Sequence, residues 1–85
     1  MNSLRIDTER LLQRVFERSI TGKELFKEAI ALYSLPAGEP YPKFIWKADH
    51  YLTDIDLCDD DPEYEETMRL DIKRYAEEYL QSKQA

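Results

Sequence analysis

Apolar residues recur at helical spacing in four separate segments of this 85-residue chain, and this pattern limits the fold more than any other feature. It predicts helices over residues 3–18, 21–33, 43–55 and 62–81. A proline-dense segment, residues 34–42, separates the second helix from the third, and the presence of only two glycines disfavours a turn-rich β fold. Short connections elsewhere favour antiparallel neighbours. The sequence therefore predicts an all-α, single-domain antiparallel four-helix bundle over residues 1–85.

Local signals mark where two of these helices begin. Thr21, followed three residues later by Glu24, is typical of a capping box, in which each side chain bonds the backbone N–H of the other residue. Asp61 before Pro62 predicts an N-cap for the last helix, since proline is favoured at the first helical position. The inward face of the second helix is predicted to consist of Leu25, Phe26, Ala29, Ile30 and Tyr33.

The negative charge of the chain is concentrated in one run. Residues 1–47 hold eight basic and six acidic groups, a net of +2, whereas residues 48–85 hold four basic and twelve acidic groups, a net of −8. Like charges at high density repel one another, so a fold that retains them often presents them to a positive partner. Nine carboxylates, uninterrupted by any Lys or Arg, form the run: Asp49, Asp54, Asp56, Asp59, Asp60, Asp61, Glu63, Glu65 and Glu66.

Two interpretations of this run stay open: a solvated face combined with helix capping, and a surface complementary to a basic partner. Asp61 is explained as a cap, because the helix dipole favours negative charge at an N-terminus. The aspartates of the third predicted helix lie in its latter half, where the dipole opposes them. We therefore predict a partner-binding set that consists of Asp49, Asp54 and Asp56 from that helix, supported by Asp59 and Asp60.

Trp46 is predicted to lie outside the buried stripe of the third helix, because it follows Phe44 by two residues and so falls on the opposite side. Exposed tryptophan is enriched among interface anchors, and packing against the proline-dense segment explains it equally well. We include Trp46 in the partner-binding set. A monomer, or a weak homodimer through Trp46 and that segment, is expected.

The charge and hydropathy of the chain exclude several classes of function. A net charge of −6 disfavours nucleic acid and anionic membranes as direct partners, since each would be repelled. No apolar run approaches the roughly 20 residues of a membrane span. The N-terminal residues do not resemble a signal peptide. These observations predict a cytoplasmic protein.

No residue set for catalysis, a cofactor or a metal ion is recognised in the sequence. Asp49 precedes His50, but adjacent helical residues point in different directions, so no acid–base pair is predicted. Cys58 stands among carboxylates, which raise the pKa of a thiol and suppress its thiolate. A calcium loop beginning near Asp54 would lack the required Gly and the Glu at its twelfth position. We predict no enzyme activity, no cofactor and no metal.

The order of these features resembles the colicin D immunity protein family, also described as bacterial self-protective colicin-like immunity proteins. The resemblance covers most of the chain, with departures over residues 36–42 and 57–66. It rests on Leu11-Leu12, Phe16, Ser19-Ile20-Thr21, Glu24-Leu25-Phe26, Leu32-Tyr33, residues 45–48, Asp49, Tyr51, Asp54 and Asp56.

This resemblance implies a small acidic helical bundle that binds the C-terminal toxin domain of a bacteriocin. In that family the toxin is a ribonuclease that cleaves transfer RNA anticodon loops, and the carboxylates of the inhibitor occupy the place of RNA phosphates. A nuclease binds its substrate through Lys and Arg, and closely spaced carboxylates satisfy the same groups. We therefore expect a bacteriocin immunity protein that neutralises a basic nuclease toxin domain, with Asp49, Asp54 and Asp56 carried over by position. The alternative is an acidic helical adaptor or regulatory protein that docks a basic protein unrelated to nucleases.

Overall fold

The structure, a computed structural model, describes residues 3–35 and 41–84. Helices take up 86% of these residues and no strand occurs among them, so the all-α prediction is confirmed. Most of the proline-dense segment, residues 36–40, lies outside the described residues. In the described ranges the chain forms five helices where four were expected: α1 Ser3–Phe16, α2 Gly22–Tyr33, α3 Lys43–Thr53, α4 Ile55–Asp60 and α5 Pro62–Gln84.

The turn that follows α1 contains a residue other than glycine in the left-handed backbone conformation. α1 ends at Phe16, two residues earlier than predicted, and Arg18 takes a φ of 60°. The N–H of Ser19 donates to the carbonyl of Arg14 at 3.0 Å, and the N–H of Arg18 donates to the carbonyl of Val15 at 3.0 Å. These two bonds form the Schellman motif, whose left-handed position is usually glycine because a Cβ there is sterically unfavourable. Arg18 therefore occupies a strained position, and its side chain forms the ion pairs described below.

The start of α2 agrees with the sequence prediction in atomic detail. The N–H of Glu24 donates to Thr21 Oγ1 at 3.2 Å, and the N–H of Thr21 donates to Glu24 Oε1 at 3.0 Å. The bond from the backbone of Thr21, together with one from its hydroxyl, lowers the pKa of the Glu24 carboxyl. The capping box is confirmed.

The third predicted helix is interrupted after Thr53. Asp54, with φ −97° and ψ 27°, separates α3 from α4, a helix of six residues. Asp54 stands at the N-cap position of α4, but its side chain makes no capping bond. Its carboxylate is bonded to His50 and Tyr64 instead. The interruption accounts for the fifth helix.

The start of α5 is capped as predicted. Asp61 Oδ1 accepts the N–H groups of Glu63 at 3.1 Å and of Tyr64 at 3.2 Å, which satisfies two of the free donors at the helix N-terminus. α5 contains 23 residues and spans about 35 Å at 1.5 Å per residue, close to the 38 Å longest dimension of the molecule. No helix in the described ranges combines the length and the apolar character needed to cross a membrane.

The core is built from the apolar faces of all five helices. The inward face predicted for α2 is confirmed at Leu25, Ala29 and Tyr33, but the prediction is wrong for Ile30, which is 46% exposed. Ile30 lies about 60° beyond Tyr33 around the helix axis and so falls outside the arc that faces α1 and α3. The buried core includes Leu11, Val15, Leu25, Ala29, Phe44, Ile45, Ala48, Tyr51, Cys58, Met68, Ile72 and Ala76.

Two ion pairs connect α1 and α5 at opposite ends. Near the start of α1, Arg5 forms a two-bond pair with Glu77 in the latter half of α5, at 2.7 and 2.8 Å. Just after α1 ends, Arg18 contacts Glu65 near the start of α5 at 2.9 Å. The bond between Arg5 and Glu77 raises the pKa of the guanidinium and lowers that of the carboxyl.

Candidate functional site

Arg18 links the acidic run to the rest of the molecule. Its guanidinium lies 2.8 Å from Asp59 Oδ1 and 2.9 Å from Glu65 Oε2. The hydrogen bond to Asp59, followed by contributions that include Tyr51 and Glu65, raises the pKa of Arg18 well above its ordinary value. Asp59 and Glu65 are therefore partly neutralised by a cation that lies more than forty residues earlier in the chain.

Glu65 is the centre of a charged network above the core. Its Oε2 accepts the hydroxyl of Tyr51 at 3.0 Å, in addition to the bond from Arg18. Arg69 donates its Nε–H to the same Tyr51 hydroxyl at 3.3 Å and approaches Glu65 to 3.6 Å. Because Tyr51 is fully buried, this network fixes the start of α5 against α3.

Asp54 is held by two side chains at the junction of α3 and α4. His50 Nε2 lies 2.7 Å from Asp54 Oδ2, and the Tyr64 hydroxyl donates to the same oxygen at 3.0 Å. The bond to Asp54 also raises the pKa of Tyr64. The sequence analysis considered only the adjacent Asp49 and so recognised no acid–base pair at His50, whereas the acidic partner of His50 lies four residues along the chain.

Asp49 is turned toward the first turn of α2. A Cβ added at Gly22 would collide with Asp49 Oδ1, so the carboxylate lies directly against the backbone of Gly22. The N-terminus of a helix carries partial positive charge, which stabilises a nearby carboxylate. This placement supplies a structural reason for Asp49 that the charge pattern alone did not show, and a side chain at residue 22 would require that carboxylate to move.

The remaining acids face solvent. Asp56 and Asp60 are one turn apart on α4, and Glu63 and Glu66 are three residues apart at the start of α5. All four are exposed, and their carboxylates form no ion pair or side-chain hydrogen bond with any residue of the described ranges. We call these four residues the α4 acidic surface. Leu57, which follows Asp56, is 55% exposed among them.

Trp46 lies on the side of α3 that faces α2. It is 53% exposed, and its ring packs edge-on against Phe26 at 5.1 Å and Tyr41 at 5.8 Å. Trp46 is thus both packed and exposed. Within the described ranges α2 and α4 are not in contact, so the predicted set divides between the α2–α3 side, with Trp46 and Asp49, and the α4 region.

Cys58 is buried on the inner side of α4. The residue is 2% exposed, and the pKa of its thiol is raised first by burial and then by the negative charge of Glu65. The sequence predicted the direction of this shift from neighbouring carboxylates, whereas desolvation is the larger cause. In residues 3–35 and 41–84 no group of three or more His, Cys, Asp or Glu side chains is arranged to hold a metal ion.

Three residues of this region were missed by the sequence analysis. Arg18 carries no local signal, because only the tertiary structure brings it to α4 and α5. Glu65 was counted among the acids but not recognised as the centre of a network. Leu57 was assigned no role, and its exposure follows from the side of α4 on which it lies.

Comparison with known proteins adds no relative. A scan against protein-family models gives no match, and searches of the curated proteins and of the solved structures give no significant match either. The resemblance to colicin D immunity proteins therefore stays a prediction from the residues.

Proposed function

We propose that this chain is a bacteriocin immunity protein that neutralises a basic nuclease toxin domain by placing the α4 acidic surface over the groove where the toxin binds its nucleic acid. The observation that carries this proposal is the set of four exposed carboxylates without a cation partner in the described residues. The helix dipole favours Asp56 and Glu63, which lie in the first turns of α4 and α5. Asp60 ends α4, where the dipole opposes it, and the four carboxylates repel one another. A groove lined with Lys and Arg would supply the missing counter-charges, and carboxylates accept charge-assisted hydrogen bonds from both.

The surroundings of this surface support a preorganised binding site. Asp61 caps α5 immediately between the two pairs of acids, and Arg18 ties Asp59 to Glu65 beneath them. Side chains and backbone that are ordered before association lose less conformational entropy on binding. Leu57 adds an exposed apolar contact at the centre of α4, and apolar contacts inside a charged rim are typical of tight interfaces.

The proposal assigns different roles to the predicted residues. Asp56 and Asp60 contact the toxin directly, with Asp59 at the edge of the interface. Asp54 supports the site from within, since its carboxylate is bonded to His50 and Tyr64. Asp49 lies on the α2–α3 side against Gly22, outside the proposed interface.

For the arrangement of the helices, we propose the antiparallel bundle expected from the sequence. Its four members are α1, α2, α3 and α5, and α4 forms the corner between the last two. The end-to-end pairing of Arg5 with Glu77 and of Arg18 with Glu65 supports opposite directions for α1 and α5.

The proposal predicts that an open reading frame next to the gene for this chain encodes a basic C-terminal domain, and the test uses that domain. That domain is assayed for cleavage of transfer RNA with increasing amounts of wild-type chain or of the double variant Asp56→Asn/Asp60→Asn. We expect the wild type to abolish cleavage at stoichiometric amounts and the double variant to bind at least about a hundredfold more weakly, because two charged contacts worth about 1.5 kcal/mol or more each are lost.

The matched control is Glu9→Gln/Glu78→Gln, which removes the same charge from exposed residues of α1 and α5. This control should inhibit like the wild type. Equal loss of inhibition in both double variants would reduce the effect to net charge and contradict the assignment of the surface. Tight binding without any effect on nuclease activity would favour the adaptor alternative.

A further inference from the structure

A groove of about 530 Å³ runs between α1 and α5. This volume falls within the roughly 300–1,000 Å³ typical of small-molecule sites. Its floor is apolar, and consists of Leu12, Ala76 and Leu80, which are 7, 3 and 2% exposed. The half-buried ring of Phe16 forms one end. The groove does not involve the α4 acidic surface, so its function is separate from the one proposed above.

Two cations stand at the Phe16 end of this groove. The guanidinium carbon of Arg69 lies 5.4 Å from the centre of the Phe16 ring, and Lys73 Nζ lies 5.6 Å from it. The carboxylate nearest to Arg69 is Glu65, at 3.6 Å. Lys73 forms no ion pair with any residue of the described ranges.

Two of the three acids that line the groove lie close to Arg5. Glu77 is bound by two hydrogen bonds from Arg5, and Glu9 lies close enough to Arg5 to raise the pKa of that guanidinium. Glu17, next to Phe16, accepts a hydrogen bond from the neutral Gln13 at 3.0 Å and forms no ion pair in the described residues. Among the cations that line the groove, Lys73 is the one with no carboxylate within 4.0 Å in the described part of the chain.

We propose that this groove binds a small amphipathic carboxylate, a free fatty acid of medium chain length. The carboxylate sits between Lys73 and Arg69, and the alkyl chain lies along Leu12, Ala76 and Leu80. The geometry matches both parts of the ligand. The cations at the Phe16 end of the groove suit the carboxylate, and the apolar floor suits the alkyl chain. Binding covers the apolar floor and supplies Lys73 with the anion that the described part of the chain does not provide.

Decanoate is the probe for this site. It is added to the ¹⁵N-labelled chain at concentrations below its critical micelle concentration, and binding is measured by two-dimensional NMR. Amide shifts should concentrate on α1 around Phe16 and on α5 around Lys73 and Ala76. Decanol, which has the same chain without the charge, should bind about tenfold or more weakly, because it forms no ion pair with the cations.

The variant Lys73→Gln should weaken decanoate binding by about tenfold. Its matched control is Lys83→Gln, which removes an equal charge near the end of the same helix, where Lys83 lies over Tyr79. The control should bind decanoate like the wild type. Circular dichroism confirms that both variants fold. Equal affinities for decanoate and decanol, equal effects of the two substitutions, or shifts confined to α2 and α3 would each overturn the proposal.

Discussion

Replacing Gly22 by alanine should stabilise the chain only when residue 49 is not aspartate. In the wild type, the new Cβ collides with the carboxylate of Asp49. In an Asp49→Ala background that obstacle is gone, and alanine is the better helix former at residue 22, the first residue of α2. The two substitutions are therefore expected to be strongly coupled.

The size of this coupling follows from the contact. Alanine in place of glycine gains up to about 1 kcal/mol in helix stability. In the wild type, Asp49 must move away from the N-terminus of α2, which forfeits about 0.3–1 kcal/mol of charge–dipole interaction, and an off-rotamer side chain costs about 0.5–1.5 kcal/mol. Gly22→Ala is thus expected to be neutral to destabilising by about 1 kcal/mol in the wild type. In the Asp49→Ala background it should stabilise by about 0.5–1 kcal/mol.

Urea unfolding followed by circular dichroism measures the free energy of unfolding for the four chains of this double-mutant cycle. A coupling of about 1 kcal/mol is expected. The control cycle pairs Gly22→Ala with Asp56→Ala, whose carboxylate is exposed on α4 and should behave additively. Additivity of the Gly22 and Asp49 substitutions within about 0.3 kcal/mol would refute the placement of Asp49 against α2.

Other substitutions test the network and the cap. Tyr51→Phe removes the buried hydroxyl that links two charged side chains of α5, and should lower the free energy of unfolding by about 1–2 kcal/mol. In thermal melts this corresponds to about 4–8 °C per kcal/mol. Tyr75→Phe, whose hydroxyl has no hydrogen-bond partner among the described residues, should change the free energy by less than about 0.5 kcal/mol, and equal effects would contradict the network. Thr21→Ala should cost about 1 kcal/mol through loss of the cap of α2, and an unchanged urea midpoint would contradict this. The pKa of Glu24 is lower in the folded state than its ordinary value of 4.5, so the stabilisation it supplies is present above pH 4.5 and is lost as the pH falls through the folded-state value. The difference in stability between the wild type and Glu24→Ala should therefore shrink below pH 4.5, and a constant difference down to pH 2 would refute the capping role.

Signals that act over three or four residues allowed accurate prediction of the helix starts. The capping box of Thr21 and Glu24 and the N-cap at Asp61 involve residues that are neighbours in sequence, so their bonds follow from local geometry alone. The buried faces of the helices follow from the 3.6-residue period for the same reason. Ile30 is the exception, because the width of a buried face depends on which neighbouring helices are present.

The features that sequence reasoning missed depend on contacts between distant segments. Arg18 reaches Asp59 and Glu65 only after the chain has folded, and its left-handed backbone is unusual for a residue with a Cβ. The break at Asp54 has no Pro or Gly to signal it, and it coincides with the bonds of that carboxylate to side chains of α3 and α5. A charge pattern shows that acids are clustered but not which of them have partners. In the structure the carboxylates of Asp49 and Asp54 have contacts within the fold, whereas the exposed carboxylates of α4 and α5 are the ones we propose for partner binding.

Amide hydrogen exchange on the complex with the neighbouring basic domain tests the central claim most directly. Exchange is compared between the free and the bound chain at the same pH and salt concentration. Binding through the α4 acidic surface should slow the exchange of amides in residues 55–67 and leave those around Trp46 and in α2 unchanged. Protection concentrated on α2 and the first half of α3, with residues 55–67 unaffected, would contradict the account.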